Sequence, residues 1–336
     1  MSIVMLSLDK KILDPSSAVA KRMIEYGSSE ELFIAIPDKE KRSVTLSPRV
    51  QVETSGGGNK LIQLWNLYGV AERYLLKQQA SLITAQDPFF LGFLALQLRW
   101  QFKTKVEMQV HGDFYSNNYY RFGFPKRHVL WHMGKLVLPR ADKIRVVGER
   151  IKQSLLKLGI PPERITVRPI QTNASAIQSY QAKFNIHEQF PQWKKIFLVL
   201  GRLDPVKNIA WLIDVFSDAQ KERPGIGLLI IGDGPERERL LQQIRKSGME
   251  NSIRMLPWTN DPWSYIKTAD ALLFSSLSEG YGLVAMEAAA AGTPVIINDV
   301  GVANYELKRG PKVTIVPVND KKDFLSAMAR YSVEMI

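Results

Sequence analysis

Two glutamates eight positions apart, Glu279 and Glu287, are the residues whose spacing most clearly suggests chemistry. The apolar run at residues 271–276 predicts a buried strand before them, and the pattern at 283–291 predicts a helix. The glycine-containing turn at 279–282 would bring bare backbone N–H groups to the start of that helix, which favours an anion. A carboxylate only accepts hydrogen bonds, so the two glutamates suit sugar hydroxyls rather than the anion itself. A phosphate flanked by sugar hydroxyls is a nucleotide sugar, and the segment therefore predicts a nucleotide-sugar site.

A basic pair follows a second predicted strand. The apolar run at residues 196–201 continues into the segment GRLDPVKN. Gly201 permits a tight turn, and Arg202 and Lys207 offer two cations at the strand end, which suit a diphosphate. The pair alone is a weak signal because strand ends with two basic residues are common and usually solvated. Its position before the glutamate segment, in the order that one sheet requires, makes it a strong one.

Composition limits the classes of protein. A chain of 336 residues is long enough for two α/β domains, each with a buried core. The absence of cysteine excludes disulfides, thiolate catalysis and cysteine-ligated zinc, and it fits a reducing compartment. The N-terminus has a short apolar run without a basic leader, so no signal peptide is expected. The apolar stretch at 88–98 is too short to span a bilayer and predicts a buried helix. These features indicate a cytoplasmic protein.

The net charge of +12 is unevenly distributed along the chain. Residues 1–185 contain 27 Lys and Arg against 15 Asp and Glu, whereas residues 186–336 contain 18 of each. The basic half predicts an anionic partner, either a lipid-phosphate acceptor or the inner face of a membrane contacted peripherally. General solubility charge is an equally open reading. Nucleic acid is not expected, because the basic residues are scattered and no binding motif is present.

Short apolar runs alternate with helical patterns along the whole chain, which predicts parallel sheets covered by helices. Strands are predicted at residues 3–8, 32–37, 82–84, 106–112, 143–148, 165–169, 196–201, 227–234, 253–256, 271–276, 294–299 and 313–317. Helices are predicted at 17–26, 61–78, 150–158, 208–222, 236–246 and 283–291. The fold class is α/β, with doubly wound domains at 1–176 and 193–336 joined by a linker at 177–192. Ligands of such sheets bind outside the carboxyl ends of the strands, where the motifs above lie.

The second half of the chain resembles the donor-binding domain of retaining GT-B glycosyltransferases of family four, the group 1 transferases. The resemblance rests on GRLDPVKN, IIGDGPERERL and SEGYGLVAMEAAAAGTPVI, in the family's order, and it covers nearly all of residues 195–320. The first half resembles the acceptor domain more loosely, through SLDKKILDPSSAVAKRMIEYG, ITAQDPF and VQVHGD. The resemblance implies two Rossmann-like domains facing a cleft. It also implies transfer of a sugar from a nucleotide diphosphate-sugar donor to a sugar, glycan or lipid-linked acceptor, with retention of configuration.

The resemblance also implies roles for individual side chains. Glu279 would contact hydroxyls of the transferred sugar, and Glu287 would hold the ribose. Arg202 and Lys207 would neutralise the departing diphosphate. His111 would face the donor sugar from across the cleft. The predicted catalytic set consists of His111, Arg202, Lys207 and Glu279. Glu279 is not assigned as a nucleophile, because its resemblance is to a sugar-binding residue.

The remaining donor contacts are expected mostly from the backbone. The residues concerned are Gly201, Met255, Leu256, Gly280, Tyr281, Gly282 and Leu283. Met255 and Leu256 would lie beside the base, and the glycine turn would meet the sugar and the distal phosphate. The chain contains no Asp-x-Asp pair, so a divalent ion held in that manner is not needed. No cofactor is expected.

Two departures from the family pattern leave alternatives open. Residues 7–18 lack the glycine pair that members often carry there, although Ser16 and Ser17 could cap the next helix. The chain ends at Ile336, where family members usually continue, which suggests a truncated C-terminus. A GT-B sugar-nucleotide epimerase and a catalytically degenerate GT-B binding protein therefore remain the alternatives.

Three further patterns are interpreted as structural. His128 and His132 have a metal-like spacing but lack the acidic partner of the H-E-x-x-H motif, so they are expected at the surface. The aromatic and basic segment at 119–127 favours the packing of a long loop over contact with a lipid-linked acceptor. The segment GDGPERERL lacks the spacing of a nucleotide fingerprint and predicts a strand-to-helix turn.

Overall fold

A computed structural model describes residues 2–116, 118–121 and 125–332 of the chain. These residues form two compact units, one of residues 2–147 and 151–168 and the other of residues 148–150 and 169–332. Across the described ranges, no helix combines the length and the apolar character needed to cross a membrane.

The first unit is built on an eight-stranded sheet, counted over the described residues. Its strands are β1 (Ser2–Leu6), β2 (Glu31–Ile36), β3 (Ser43–Ser47), β4 (Val50–Thr54), β5 (Leu82–Ala85), β6 (Lys105–Val110), β7 (Lys143–Val146) and β8 (Ile165–Val167). Its helices are α1 (Ala18–Tyr26), α2 (Lys60–Lys77), α3 (Phe90–Phe102), α4 (Asn118–Arg121), α5 (Pro125–Val137) and most of α6 (Glu149–Lys157). The strand order is β3-β4-β2-β1-β5-β6-β7-β8, with all neighbours parallel except β3 and β4. The order reverses between β1 and β5, which is the switch point of this sheet.

The turn after β1 differs from a glycine-rich loop. A short 3₁₀ helix at Lys10–Leu13 occupies it, and the Asp9 side chain accepts a hydrogen bond from the Lys11 backbone N–H. Ser17 then caps α1 by accepting from the Ala20 N–H at 3.0 Å, which confirms the predicted capping role. The Ser16 hydroxyl instead donates to the Asp14 carboxylate, at 2.7 Å.

The second unit contains a six-stranded, all-parallel sheet within the described part of the chain. Its strands are β9 (Lys195–Leu200), β10 (Ile226–Ile231), β11 (Ile253–Leu256), β12 (Ala271–Phe274), β13 (Val295–Asn298) and β14 (Val313–Val316). Its helices are α7 (Ala174–Ser179), α8 (Ile186–Gln189), α9 (Ile209–Glu222), α10 (Arg237–Lys246), α11 (Pro262–Thr268), α12 (Leu283–Ala291) and α13 (Lys321–Ser332). The order β11-β10-β9-β12-β13-β14 is that of a Rossmann sheet, and its switch point lies between β9 and β12. Phe197, Phe216 and Phe324 anchor the core, all fully buried.

The structure confirms the predicted fold class and most of the predicted elements. Two Rossmann-like α/β units are present. The apolar stretch at 88–98, which was predicted to form a helix, lies mostly within α3. The hairpin of β3 and β4 was not predicted. The segment proposed as a linker, 177–192, contains α8 and the end of α7, and its Ile177 and Ile186 are buried in the second unit.

The three patterns interpreted as structural lie in α4, α5 and the turn before α10. His128 and His132 lie exposed on α5, with their Nε2 atoms 3.1 Å apart, as expected of surface residues. The segment after β10 is a turn into α10, as predicted. The aromatic and basic segment was predicted as a long loop, which is wrong for its described residues: 119–121 belong to α4 and 125–127 begin α5, whereas Phe122 and Phe124 lie outside the described residues.

Candidate functional site

Two loops of the second unit meet at its switch point. The Lys207 loop, residues 201–208, follows β9, and the Glu279 loop, residues 275–282, follows β12. The Leu277 N–H donates to the Val206 carbonyl at 2.8 Å, and the Ser275 hydroxyl donates to the Lys207 carbonyl at 2.9 Å. These bonds fasten the loops to each other at the carboxyl edge of the sheet, where an open α/β sheet binds its ligand.

The ion pair of Lys207 and Glu279 lies at this junction. The Lys207 ammonium is 2.5 Å from Glu279 Oε1, which also accepts a hydrogen bond from the Ser276 hydroxyl at 2.7 Å. The two side chains are 26% and 14% exposed, so water screens the pair only partly. The ammonium also lies 5.4 Å from the centre of the Phe274 ring. Glu279 is therefore held in one orientation by two donors.

Arg202 is placed differently from its predicted partner Lys207. Its guanidinium Nε is 3.0 Å from the Asp204 carboxylate, and its side chain is 70% exposed. Sequence reasoning assigned both cations to one diphosphate. The structure brings Lys207 to Glu279, whereas Arg202 is exposed and pairs with Asp204.

The N-cap of helix α12 is Gly282, which adopts the left-handed conformation with φ 107°. This conformation favours glycine, which leaves the helix start without a side-chain cap. The Gly301 backbone covers the other side of the turn, and a Cβ atom there would lie 2.1 Å from the Tyr281 carbonyl oxygen. That carbonyl accepts a hydrogen bond from the Val302 N–H at 2.7 Å. The first N–H groups of α12 thus point out of an uncapped helix end, a geometry that suits an anion.

Glu287 lies one turn further along α12, beside Leu283 at the helix start. The Trp263 indole N–H donates to its carboxylate at 3.4 Å, and burial raises the pKa of Glu287 while this hydrogen bond opposes the rise. Trp263 on α11 packs edge-on against Tyr180, with ring centroids 5.3 Å apart. The contact of Trp263 was not predicted from the sequence, since no local pattern connects α11 to a residue 24 positions later. Glu287 is separated from Glu279 and has its own partner.

The predicted base-side residues contribute little through their side chains. Met255 on β11 packs against the core of the second unit. The Leu256 carbonyl already accepts the Gly232 N–H at 3.2 Å and faces the Arg237 guanidinium at 3.5 Å. A base beside β11 would consequently meet backbone and neighbouring residues more than these two side chains.

Asn298, which was also not predicted from the sequence, holds the Glu279 loop by hydrogen bonds to its backbone. It is fully buried at the end of β13, and its amide donates to the carbonyls of Ser275 and Ser276 at 2.8 and 3.2 Å. Among the described atoms, its Oδ1 finds no hydrogen-bond partner. The sequence did contain a signal for this residue, because Asn298 is a polar residue that directly follows the apolar part of the run at 294–299.

His111 belongs to the first unit, just after β6 and near the switch-point side of that sheet. Its Nε2 lies 3.2 Å from Gln109 Oε1, and its side chain is exposed. Partial desolvation by the surrounding protein, followed by the positive charges of Arg145 and Arg22, lowers the pKa of His111. At neutral pH the imidazole is uncharged and able both to donate and to accept a hydrogen bond.

The chain is similar to known glycosyltransferases. A family model described as Glycosyl transferases group 1 matches residues 181–332, and one described as Glycosyltransferase Family 4 matches residues 30–170. An uncharacterized glycosyltransferase of Methanocaldococcus jannaschii is 30% identical over 192 residues, which are 56% of this chain and 44% of that protein. The UDP-N-acetylglucosamine–peptide N-acetylglucosaminyltransferase GtfA subunit of Streptococcus agalactiae is 30% identical over 220 residues, 62% of this chain and 40% of the relative.

The chain thus spans less than half the length of these two relatives. Among solved structures, sucrose-phosphate synthase from Thermosynechococcus elongatus has the same fold, with a TM-score of 0.78 and 20% identity over 98% of this chain and 89% of that one. The two family models together account for both Rossmann-like units. The chain belongs to family four of the GT-B glycosyltransferases, the glycosyl transferases group 1.

Proposed function

We propose that this protein transfers a sugar from a nucleoside diphosphate-sugar donor to a sugar, glycan or lipid-linked acceptor, with retention of anomeric configuration and without a divalent ion. The observation that carries the proposal is the Lys207–Glu279 pair beside the uncapped start of α12. A carboxylate that can accept hydrogen bonds lies there beside a helix start that suits an anion, an arrangement that would fit a sugar joined to a diphosphate.

The proposed division of labour follows from charge development. Cleavage of the anomeric bond leaves positive charge on the sugar and negative charge on the departing diphosphate. The N–H groups at the start of α12 and the Lys207 ammonium stabilise the diphosphate, while the exposed Arg202 adds a second cation. Glu279, held by Ser276, accepts hydrogen bonds from the sugar hydroxyls. Glu287 does the same for the ribose.

The family and one relative support the choice of donor. The Streptococcus agalactiae relative is named for UDP-N-acetylglucosamine, which is a nucleoside diphosphate sugar. The chain has no Asp-x-Asp pair, the arrangement through which a divalent ion would hold such a diphosphate. Retention is the stereochemistry that the family resemblance implies.

The central test has two measurements on wild-type protein and Glu279→Gln. Calorimetric titration with a panel of nucleoside diphosphates and their sugars measures binding, and an assay of sugar transfer measures turnover. We expect one class of donor to bind the wild type and turnover to fall at least ~100-fold in the variant, the scale of losing one transition-state contact. Glu236→Gln is the matched control. Glu236 also forms an ion pair at 2.5 Å, with Arg239, but it is the N-cap residue of α10. Absence of donor binding, or full turnover in Glu279→Gln, would refute the proposal.

The same preparation decides the finer points. Turnover should persist in excess EDTA, and NMR of the product should show the donor's anomeric configuration. Incubation of donor without acceptor separates the alternatives, because an epimerase changes the sugar whereas a transferase at most hydrolyses it slowly. Tight donor binding without turnover across acceptors would instead indicate a binding protein.

A further inference from the structure

A chain of polar side chains leads to His111 along one face of the first unit's sheet. Alternate residues of a strand share a face, so Glu107 and Gln109 lie on the same side as His111, opposite the buried Val106 and Met108. We call Glu107, Thr84, Gln109 and His111 the His111 network. Gln109 is 2% exposed, which is unusual for an amide unless each of its groups is used.

The hydrogen bonds of the network have a fixed direction. The Thr84 hydroxyl donates its single proton to Glu107 Oε1 at 3.2 Å, since an ionised carboxylate can only accept. Thr84 therefore accepts from Gln109 Nε2, at 2.8 Å. This places the amide nitrogen of Gln109 toward Thr84 and its oxygen toward the imidazole. An amide oxygen only accepts, so His111 Nε2 must carry a proton.

We propose that Gln109 is a positioning residue that holds neutral His111 in the Nε2–H tautomer and leaves its Nδ1 as a hydrogen-bond acceptor for a substrate hydroxyl. The benefit for transfer rests on the proposed function, whereas the tautomer itself does not. A ring without this partner would divide between two tautomers and two ring orientations. The network removes that freedom, as outer partners do for histidines that bind metals.

The charges around the imidazole act in the same direction. The positive charges of Arg145 on β7 and Arg22 on α1 oppose binding of a second proton by the imidazole. Glu107 partly offsets the charge of Arg145, since its Oε1 lies 3.8 Å from the Arg145 Nε. His111 thus stays neutral at physiological pH, and Nδ1 keeps its lone pair. As the pH falls through the lowered pKa, Nδ1 becomes a donor and its acceptor role is lost.

The direct test is the imidazole ¹H–¹⁵N correlation spectrum of histidine-labelled protein. The chain has only four histidines, and His111→Asn assigns the relevant signal. Wild type should show the Nε2–H pattern for His111. Gln109→Leu, which keeps the volume but removes both amide groups, should give a mixed-tautomer pattern. Gln109→Glu places a negative charge beside the ring and should raise the pKa of His111. Gln51→Leu, at an exposed position on β4, is the matched control.

Turnover provides the second readout. Gln109→Leu should lower kcat about 10-fold, the scale of one hydrogen bond, with the donor KM within about 2-fold. An Nδ1–H pattern in wild type, an unchanged pattern in Gln109→Leu, or unchanged kcat despite a changed pattern would each overturn the positioning role. If no donor is turned over by wild type, the proposed function fails, and the spectra alone still decide whether Gln109 fixes the tautomer.

Discussion

Single residues of the second unit form ion pairs with one another at the candidate site. Lys207 and Glu279 form a pair that is mostly shielded from water, whereas Arg202 is solvated on the same loop. A donor entering this site must therefore compete with an existing ion pair. The proposed diphosphate contact of Lys207 and the proposed sugar contact of Glu279 are coupled for this reason.

A double-mutant cycle measures that coupling. Lys207→Met and Glu279→Gln, singly and together, should show a coupling of about 1–2 kcal/mol in the free energy of unfolding, because the pair is mostly shielded from water. The pair Arg239–Glu236, whose arginine is 66% exposed although its glutamate is not, should give at most about 0.5 kcal/mol when treated in the same way. Urea titrations followed by circular dichroism provide the values. Equal coupling in both pairs would show that shielding contributes nothing.

Glu287 predicts a dependence of stability on pH. Its pKa is raised by burial, so the folded state holds the proton more tightly than the unfolded state. Stability is therefore lost as the pH rises from the usual carboxyl range through the raised pKa. Glu287→Gln cannot ionise, and it should match wild type at acid pH and be more stable at neutral pH, while binding donor less tightly. Thermal unfolding between about pH 4 and 8 checks this; the exposed Glu222→Gln should show no such divergence.

Sequence reasoning identified individual residues better than their partners. Glu279 and Glu287 stand out because carboxylates follow a strand and a glycine turn, a pattern that can be read locally. The pairing of Glu279 with Lys207 spans 72 positions and depends on two loops meeting. Gln109 did leave a signal, since Glu107, Gln109 and His111 alternate with apolar residues. Their use as one network required the position of Thr84, on a neighbouring strand.

Elements were predictable where local rules and packing agree. Helix α12 matches its predicted bounds because Gly282 and Gly292, both at positive φ, mark its ends. The hairpin of β3 and β4 was missed because β3 alternates between exposed and half-buried residues at the sheet edge. Its stability comes from pairing with β4, which a local pattern of apolar residues does not report.

Close backbone approach at Gly301 gives a prediction at the scale of elements. Gly301 and Gly248 both have positive φ, 55° and 68°, but only a Cβ at Gly301 would clash, with the Tyr281 carbonyl. Gly248→Ala should cost about 1 kcal/mol for the left-handed conformation alone. Gly301→Ala should cost roughly 3 kcal/mol or more, and it should weaken donor binding by displacing the Glu279 loop. Similar costs for the two variants in chemical denaturation would contradict this account of the loop.

Charge is the property that distinguishes the two halves of the whole molecule. All of the excess positive charge falls in residues 1–185, and the same half displays Trp65 on α2 and Trp100 on α3, which are 81% and 91% exposed. Both indoles line one groove of about 870 Å³. The basic side chains of Lys41 and Arg73 line the same groove, and exposed tryptophans beside basic residues are typical of surfaces that meet lipid headgroups. The outer face of α2 and α3 is therefore where we expect any membrane contact.

Vesicle binding tests this expectation. The protein should sediment with phosphatidylglycerol vesicles at low salt and be released near 1 M salt, where the Debye length is only about 3 Å. Replacing the exposed Lys60, Lys77 and Lys103 with serine should weaken binding about 100-fold, at about 1 kcal/mol per lysine. The same replacement of three exposed lysines in the second half, at positions 246, 308 and 322, should leave binding nearly unchanged. An equal loss in both triple variants would mean that net charge, and not this face, attracts the membrane, since each variant removes the same three charges.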